Sequence, residues 1–241
     1  MLKKNQLSPN FSKKPRVIKD IKFIIYHYTG MQSEIESIKR LKNAKSKVSC
    51  HYFIKRNGEV IQMVKDLHVA WHAGKSKWKT FKNLNLNSIG IELANKGHEF
   101  GYQNFSSQQI KSLIHLSKSL KKKYRIKKEN FLGHSDIAPL RKNDPGEKFP
   151  WKKLSRYKIG IWFSKKNNLL TFQNKKKIQK KFFDNLQKIG YRYIKNETST
   201  KRMKRITRSF QQHFLPGNIS GVVDQKTFKI SCFLANSVKT S

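Results

Sequence analysis

Two histidines and an aspartate stand where the chain changes direction. His27 lies near the end of the apolar run Ile21 to Tyr28, and His134 follows the short run Phe131-Leu132-Gly133. Asp144 lies in Arg141-Lys142-Asn143-Asp144-Pro145-Gly146, where the proline and glycine would fix a rigid turn. Two imidazoles and one carboxylate are a ligand set that leaves one position of a zinc ion open to water. The three come from separate segments, so their spacing does not decide for a metal, and a histidine at a strand end is often structural. Glu92 sits inside the apolar run Ile89 to Ala94, where a carboxylate without a partner is costly.

These residues need strands and turns to bring them together. Ile21 to Tyr28 reads as a buried strand ending at Thr29-Gly30. Ser33 can cap a helix to Leu41, with Ile35, Ile38 and Leu41 on one face. Val48 to Ile54 and Glu59 to Val64 flank Asn57-Gly58, a strong hairpin signal. Ile89 to Ala94 is a further strand. The spacing predicts an amphipathic helix over Ser107 to Tyr124, with Ile110, Leu113, Ile114 and Leu120 inward. Phe131 to Gly133 is a last short strand, and Pro150-Trp151 opens a helix to about Phe163. Strands interleaved with helices indicate an α/β domain, a mixed central β-sheet flanked by helices.

Residues 1–20 read as an irregular lead-in and residues 21–163 as the main domain. Residues 164–177 are polar and Lys-rich, and read as a linker. Beyond it, over 178–241, the pattern is purely helical. Ile178, Phe182, Leu186 and Ile189 share one helix face, ended by Gly190-Tyr191. Ile206, Phe210 and Phe214 suit a second helix stopped by Pro216-Gly217. Asp224 can cap a third, carrying Phe228, Ile230 and Leu234. The expectation is a small all-α three-helix C-terminal domain.

The formal charge of +39 arises from 53 Lys and Arg against 14 acids. Such a field favours polyanionic partners and says little about fold. The basic residues are mostly Lys, whereas bidentate recognition of bases and phosphates relies on Arg. The lysines are also spread along the whole chain, so no dedicated nucleic-acid function is indicated; the excess reads either as Lys-rich drift on solvated surfaces or as adhesion to anionic polymers. The two cysteines, Cys50 and Cys232, form no metal-knuckle pattern and are expected as free thiols. No apolar run approaches the about 18 residues of a transmembrane helix. Met1 to Pro15 is basic without an apolar core, hence not a complete secretory signal.

Seven motifs occur in order. They are Tyr26-His27-Tyr28-Thr29-Gly30, Val48-Ser49-Cys50-His51-Tyr52, Trp71-His72-Ala73-Gly74, Ser88-Ile89-Gly90-Ile91-Glu92, Gly133-His134-Ser135-Asp136-Ile137-Ala138-Pro139, the Arg141 to Gly146 segment and Phe149-Pro150-Trp151. Together they resemble the type-2 N-acetylmuramoyl-L-alanine amidase family, which shares its fold with the peptidoglycan recognition proteins, over about residues 8–163. The resemblance implies one zinc per chain held by His27, His134 and Asp144. It implies Glu92 as the catalytic carboxylate and Lys142 as a transition-state partner. It places Trp71 and His72 at the rim of the substrate cleft, where they would contact substrate. His51 is expected to orient its neighbours, and Asp136 and Pro139 to support the loop after His134. Over about 175–236, Phe183, Leu186, Ile189-Gly190-Tyr191, Ser209 to Phe214, Gly221 to Asp224 and Thr227 resemble a three-helix peptidoglycan-binding domain.

The implied activity is hydrolysis of the amide between N-acetylmuramic acid and L-alanine in peptidoglycan or muropeptides, by a monomer. A non-catalytic recognition protein is the alternative, but such proteins commonly lack part of the zinc set, which is complete here. A wall-binding module favours the periplasm or cell wall; the lack of a complete signal favours the cytoplasm.

Overall fold

The computed structural model describes residues 3–5, 7–164, 175–194 and 199–238. In chain order the strands and helices are β1 (Lys3–Asn5), β2 (Phe11–Ser12), β3 (Phe23–Tyr28), α1 (Glu34–Lys42), β4 (Tyr52–Ile54), β5 (Val60–Gln62), β6 (Val69–Ala70), β7 (Lys77–Trp78), β8 (Phe81–Lys82) and β9 (Ser88–Leu93). They continue with α2 (Ser107–Tyr124), β10 (Phe131–Gly133), α3 (His134–Ile137), α4 (Trp151–Ser155), α5 (Lys175–Ile189), α6 (Thr200–Phe214) and α7 (Gln225–Ser237).

Six strands form a mixed sheet in the order β1-β5-β4-β9-β3-β10. β4, β9, β3 and β10 run parallel, and β5 turns back antiparallel to β4 through the Asn57-Gly58 turn, where Gly58 has φ +86°. Side chains alternate across this sheet. Ile24, Tyr26, Ile89 and Ile91 join a cluster with Ile110, Leu113, Leu116 and Leu120 of α2. Each such fully buried side chain contributes about 1.5–3 kcal/mol. α2 begins at a capping box: Ser106 accepts from Gln109 N–H, and the Gln109 side chain reaches back to Ser106 N–H.

On the opposite alternation, Phe23, Ile25 and Leu132 join a second cluster with Phe182, Leu186 and Phe210 of the C-terminal helices. The three helices expected beyond 178 are therefore present and share a hydrophobic core with the sheet. α7 is capped by Asp224, which accepts from Thr227 N–H. Of the linker expected over 164–177, residues 165–174 lie outside the described residues.

Several expectations are corrected. The lead-in is not irregular: β1 pairs with β5 and β2 with β6. Arg16 is 8% exposed and donates to the carbonyls of Asp66, Asn85, Leu86 and Ser88. In α1, Ser33 caps as expected, but Ile35 is exposed, and Ser37 and Leu41 are the buried residues. α4 stops at Ser155 instead of about Phe163, because Lys158 and Gly160 take left-handed φ of 58° and 78°. Cys50 is buried, Cys232 is half-buried, and both are free.

Candidate functional site

The parallel strands β3, β9 and β10 end at the same edge, where ligands bind in open α/β sheets. His27 is the penultimate residue of β3, and the register sets it opposite Glu92 of β9. His134 begins α3 directly after β10, which flanks β3 on the other side. The Asp144 loop is tied to α3 by Ser135 N–H donating to the Asp144 carbonyl at 2.8 Å. The sheet thus gathers residues separated by more than a hundred positions.

His27 Nδ1, His134 Nδ1 and Asp144 Oδ2 form a triangle with sides of 3.0, 2.9 and 3.0 Å. All three residues are buried. The protons on the two rings are fixed from behind. His134 Nε2 lies 3.0 Å from the Ala73 carbonyl, which only accepts, and 3.2 Å from Arg141 Nη2, which only donates and is already engaged by that carbonyl; the shorter contact assigns the ring proton to Nε2 and leaves Nδ1 bare. Behind His27, Ser88 Oγ donates to the Leu84 carbonyl at 2.6 Å. Its oxygen then accepts from His72 Nε2 at 3.2 Å, which leaves His72 Nδ1 to accept from His27 Nε2 at 3.0 Å. His27 Nδ1 is therefore bare as well.

Two unprotonated nitrogens and a carboxylate oxygen at such distances, with no hydrogen between them, repel unless a cation lies among them. A tetrahedral zinc, with bonds of about 2.0–2.1 Å, separates its ligand atoms by roughly 3.3 Å. The triangle needs to relax by only a few tenths of an ångström, so the donor set fits such an ion. For His27 the electrostatics agree: burial holds it down at about 4, so it is neutral near pH 7.

Glu92 opens partly to the cleft, yet its Oε2 is buried without a hydrogen-bond partner. Burial, then the Asp144 charge, raises its pKa to about 8, against an opposing effect of Lys142. Near-neutral pKa suits a group that takes and returns a proton. Lys142 is half-buried and lines the same cleft of ≈ 770 Å³, as do Trp71 and His72. Both ring nitrogens of His72 are engaged, and the residue is 9% exposed. Its ring lies over Gly90, where an added Cβ would meet His72 Cγ at 2.4 Å. Glycine at 90 is thus what admits the ring. Trp71 Nε1 donates to Ser12 Oγ at 3.3 Å. His51 Nδ1 accepts from Gly90 N–H at 3.0 Å, the orienting position expected of it.

Sequence reasoning missed three supporting residues. Asn85 Oδ1 accepts the backbone N–H groups of His72 and Ala73 at 3.0 and 2.6 Å. Ser88 sets the direction of the proton chain. Arg141 donates from Nη2 to the Ala73 carbonyl and from Nε to that of Lys75 at 3.1 Å, clamping the segment behind His134. A trace of Ser88 was visible, since it opens the Ser88-Ile89-Gly90-Ile91-Glu92 motif.

A family model described as N-acetylmuramoyl-L-alanine amidase matches residues 18–147. The N-acetylmuramoyl-L-alanine amidase AmiD of Escherichia coli (strain K12) is 33% identical over 226 residues, covering 88% of this chain and 81% of that protein. Among solved structures, E. coli AmiD in complex with the substrate anhydro-N-acetylmuramic acid-L-Ala-D-gamma-Glu-L-Lys superposes with a TM-score of 0.81 at 30% identity, over 94% of this chain and 92% of that one. AmpDh3 from Pseudomonas aeruginosa, in complex with anhydromuramic pentapeptide, gives a TM-score of 0.79 at 28% identity, over 95% and 96% of the two chains.

Proposed function

Because this chain belongs to the N-acetylmuramoyl-L-alanine amidase family, we propose that it hydrolyses the amide bond between N-acetylmuramic acid and L-alanine in peptidoglycan or its muropeptides. The observation that carries this reading is the convergence of three bare ligand atoms beside the unpartnered Glu92 oxygen in one open cleft. His27, His134 and Asp144 would hold a single zinc. When bound, zinc supplies Lewis acidity, which acidifies water and polarises a carbonyl.

The protein's own groups do the rest. Glu92 takes a proton at its carboxylate from the attacking water and returns it to the leaving amine nitrogen. Glu92 must be ionised for the first transfer, and Asp144, which raises its pKa, would do so less once it holds a cation. Lys142, on the cleft wall, places an ammonium against the negative charge that develops on the carbonyl oxygen. Trp71, at the rim, offers a flat apolar face to the sugar or stem peptide.

Relatives solved with anhydro-muropeptides support muropeptide as the ligand class. No helix among the described residues is long and apolar enough to cross a membrane. The resemblance of 175–236 to wall-binding domains supports a further role for α5–α7 in wall contact, and with it the periplasm or cell wall as the site of action.

The test measures zinc content and muropeptide hydrolysis on one purified sample, with mass spectrometry of the products. The expected result is about one zinc per chain and release of the free stem peptide. Glu92→Gln should keep the zinc and lose about 10²–10⁴-fold in turnover. Zinc without cleavage of any muropeptide would favour a recognition role, and near-normal turnover of Glu92→Gln would remove Glu92 from the chemistry.

A further inference from the structure

Asp136 lies two residues beyond His134 in α3 and is 1% exposed. One carboxylate oxygen accepts from Gly133 N–H at 2.7 Å and from His213 Nδ1 at 2.8 Å. The other accepts from the Tyr191 hydroxyl at 2.5 Å. Beside it, Ser209 Oγ donates to the Ser135 carbonyl at 2.7 Å. Tyr191 follows α5, and Ser209 and His213 stand four residues apart on one face of α6. The His213 ring also stacks on Trp151, with centroids 3.8 Å apart and planes at 14°.

Every one of these side-chain donors comes from the C-terminal helical unit, and all converge on a single short helix. α3 has four residues, barely one turn, and a turn that short has no stability of its own. Its position must be set from outside. We infer that the C-terminal helical unit is a positioning element of the metal site: Tyr191, Ser209 and His213 hold α3 so that His134 Nδ1 meets His27 and Asp144. The same hold extends to Asp144, whose carbonyl accepts from Ser135 N–H. Removal of these donors would leave Asp136 under-satisfied and let α3 shift. The loss then falls on the ligand geometry as well as on folding. On this reading the helices complete the catalytic fold, whatever they contribute to wall contact.

The inference rests on the metal reading above, and its test separates the two. Zn²⁺ affinity of the full-length chain is measured by competition with a chromophoric chelator, well below the thermal midpoint. The variants are Tyr191→Phe, Ser209→Ala and their combination. Leu234→Ala serves as control, because Leu234 lies on α7 within the same hydrophobic core. The double variant should bind Zn²⁺ about tenfold more weakly, the scale of supporting residues around a ligand. The control should lower Tm at least as much and leave affinity within about twofold of wild type. If the double variant does not fold, Ser209→Ala alone carries the test, with a loss of a few-fold. Wild-type affinity in the variants, or an equal loss in the control, overturns the inference. A wild-type chain that binds no Zn²⁺ overturns the metal reading and this inference with it.

Discussion

His72→Ala should weaken metal binding through a proton on His27, a residue it touches, with no ligand removed. In the wild-type chain His27 carries its proton on Nε2, because His72 Nδ1 accepts it at 3.0 Å and is itself held by Ser88. Without His72 that N–H faces a cavity. His27 is 1% exposed, and an unpaired buried donor costs about 1–3 kcal/mol. The metal-free variant escapes this by moving the proton to Nδ1, where Asp144 Oδ2 accepts it at 2.9 Å. That is the wrong tautomer for a ligand. Binding must then restore the bare Nδ1 and again leave Nε2–H unpaired. The whole cost of about 1–3 kcal/mol therefore appears in the affinity, roughly a 5- to 150-fold loss.

The assay is Zn²⁺ competition, with imidazole ¹⁵N shifts reporting the His27 tautomer in the metal-free protein. His72→Asn is the informative partner, because its Oδ1 occupies the place of Nδ1 and can accept from His27. It should recover most of the affinity. If His72→Ala binds Zn²⁺ within about twofold of wild type, or if Asn is no better than Ala, the tautomer argument fails.

Two further outcomes follow from buried polar groups. The Glu92 carboxyl is raised from 4.5 to about 8, so the folded, metal-free chain holds a proton that the unfolded chain releases within that window. Stability should fall as pH rises from 4.5 to 8. Glu92→Gln should lack that slope by about 1–3 kcal/mol after allowance for solvent in the cleft, in urea unfolding of chelator-treated protein; equal slopes would refute it. Arg16→Ala should leave several buried carbonyls unpaired and cost about 2–4 kcal/mol. That lowers Tm by about 5–15 °C by calorimetry, and a drop under about 2 °C would mean that the lead-in is not anchored by Arg16.

Where a pattern was local, the sequence was legible. α2 begins and ends where its apolar spacing places it, and Asn57-Gly58 marks the β4–β5 turn. The pairs β1–β5, β2–β6 and β7–β8 are two or three residues long, too short for any periodicity. Ile35 fits the apolar stripe of α1 yet is exposed, because the helix meets the core through Ser37, Ile38 and Leu41. The site was legible through its motifs, since the register that sets His27 opposite Glu92 is a non-local fact. The partners of His72 and Asp136 stayed hidden for the same reason. His72 reaches His27 across 45 positions, and Asp136 reaches Tyr191 and His213 across 55 and 77.

The charge and the chemistry occupy different parts of the molecule. Across the chain 53 Lys and Arg face 14 acids, but the cleft is lined by Arg40, Arg141 and Lys142 against Glu36, Glu92, Glu99 and Asp144. The cationic excess therefore stops at the cleft. Outside it lie basic clusters such as Lys118, Lys121 and Lys122 of α2 with Arg125. A polyanion would be drawn to those clusters and not into the reaction centre, because a surface field is screened over about 8–10 Å at physiological salt. Charge would then govern where the enzyme dwells, on an anionic wall polymer, while cleft geometry governs what it cuts. Raised salt should accordingly weaken attachment to intact wall and leave hydrolysis of small soluble muropeptides nearly unchanged.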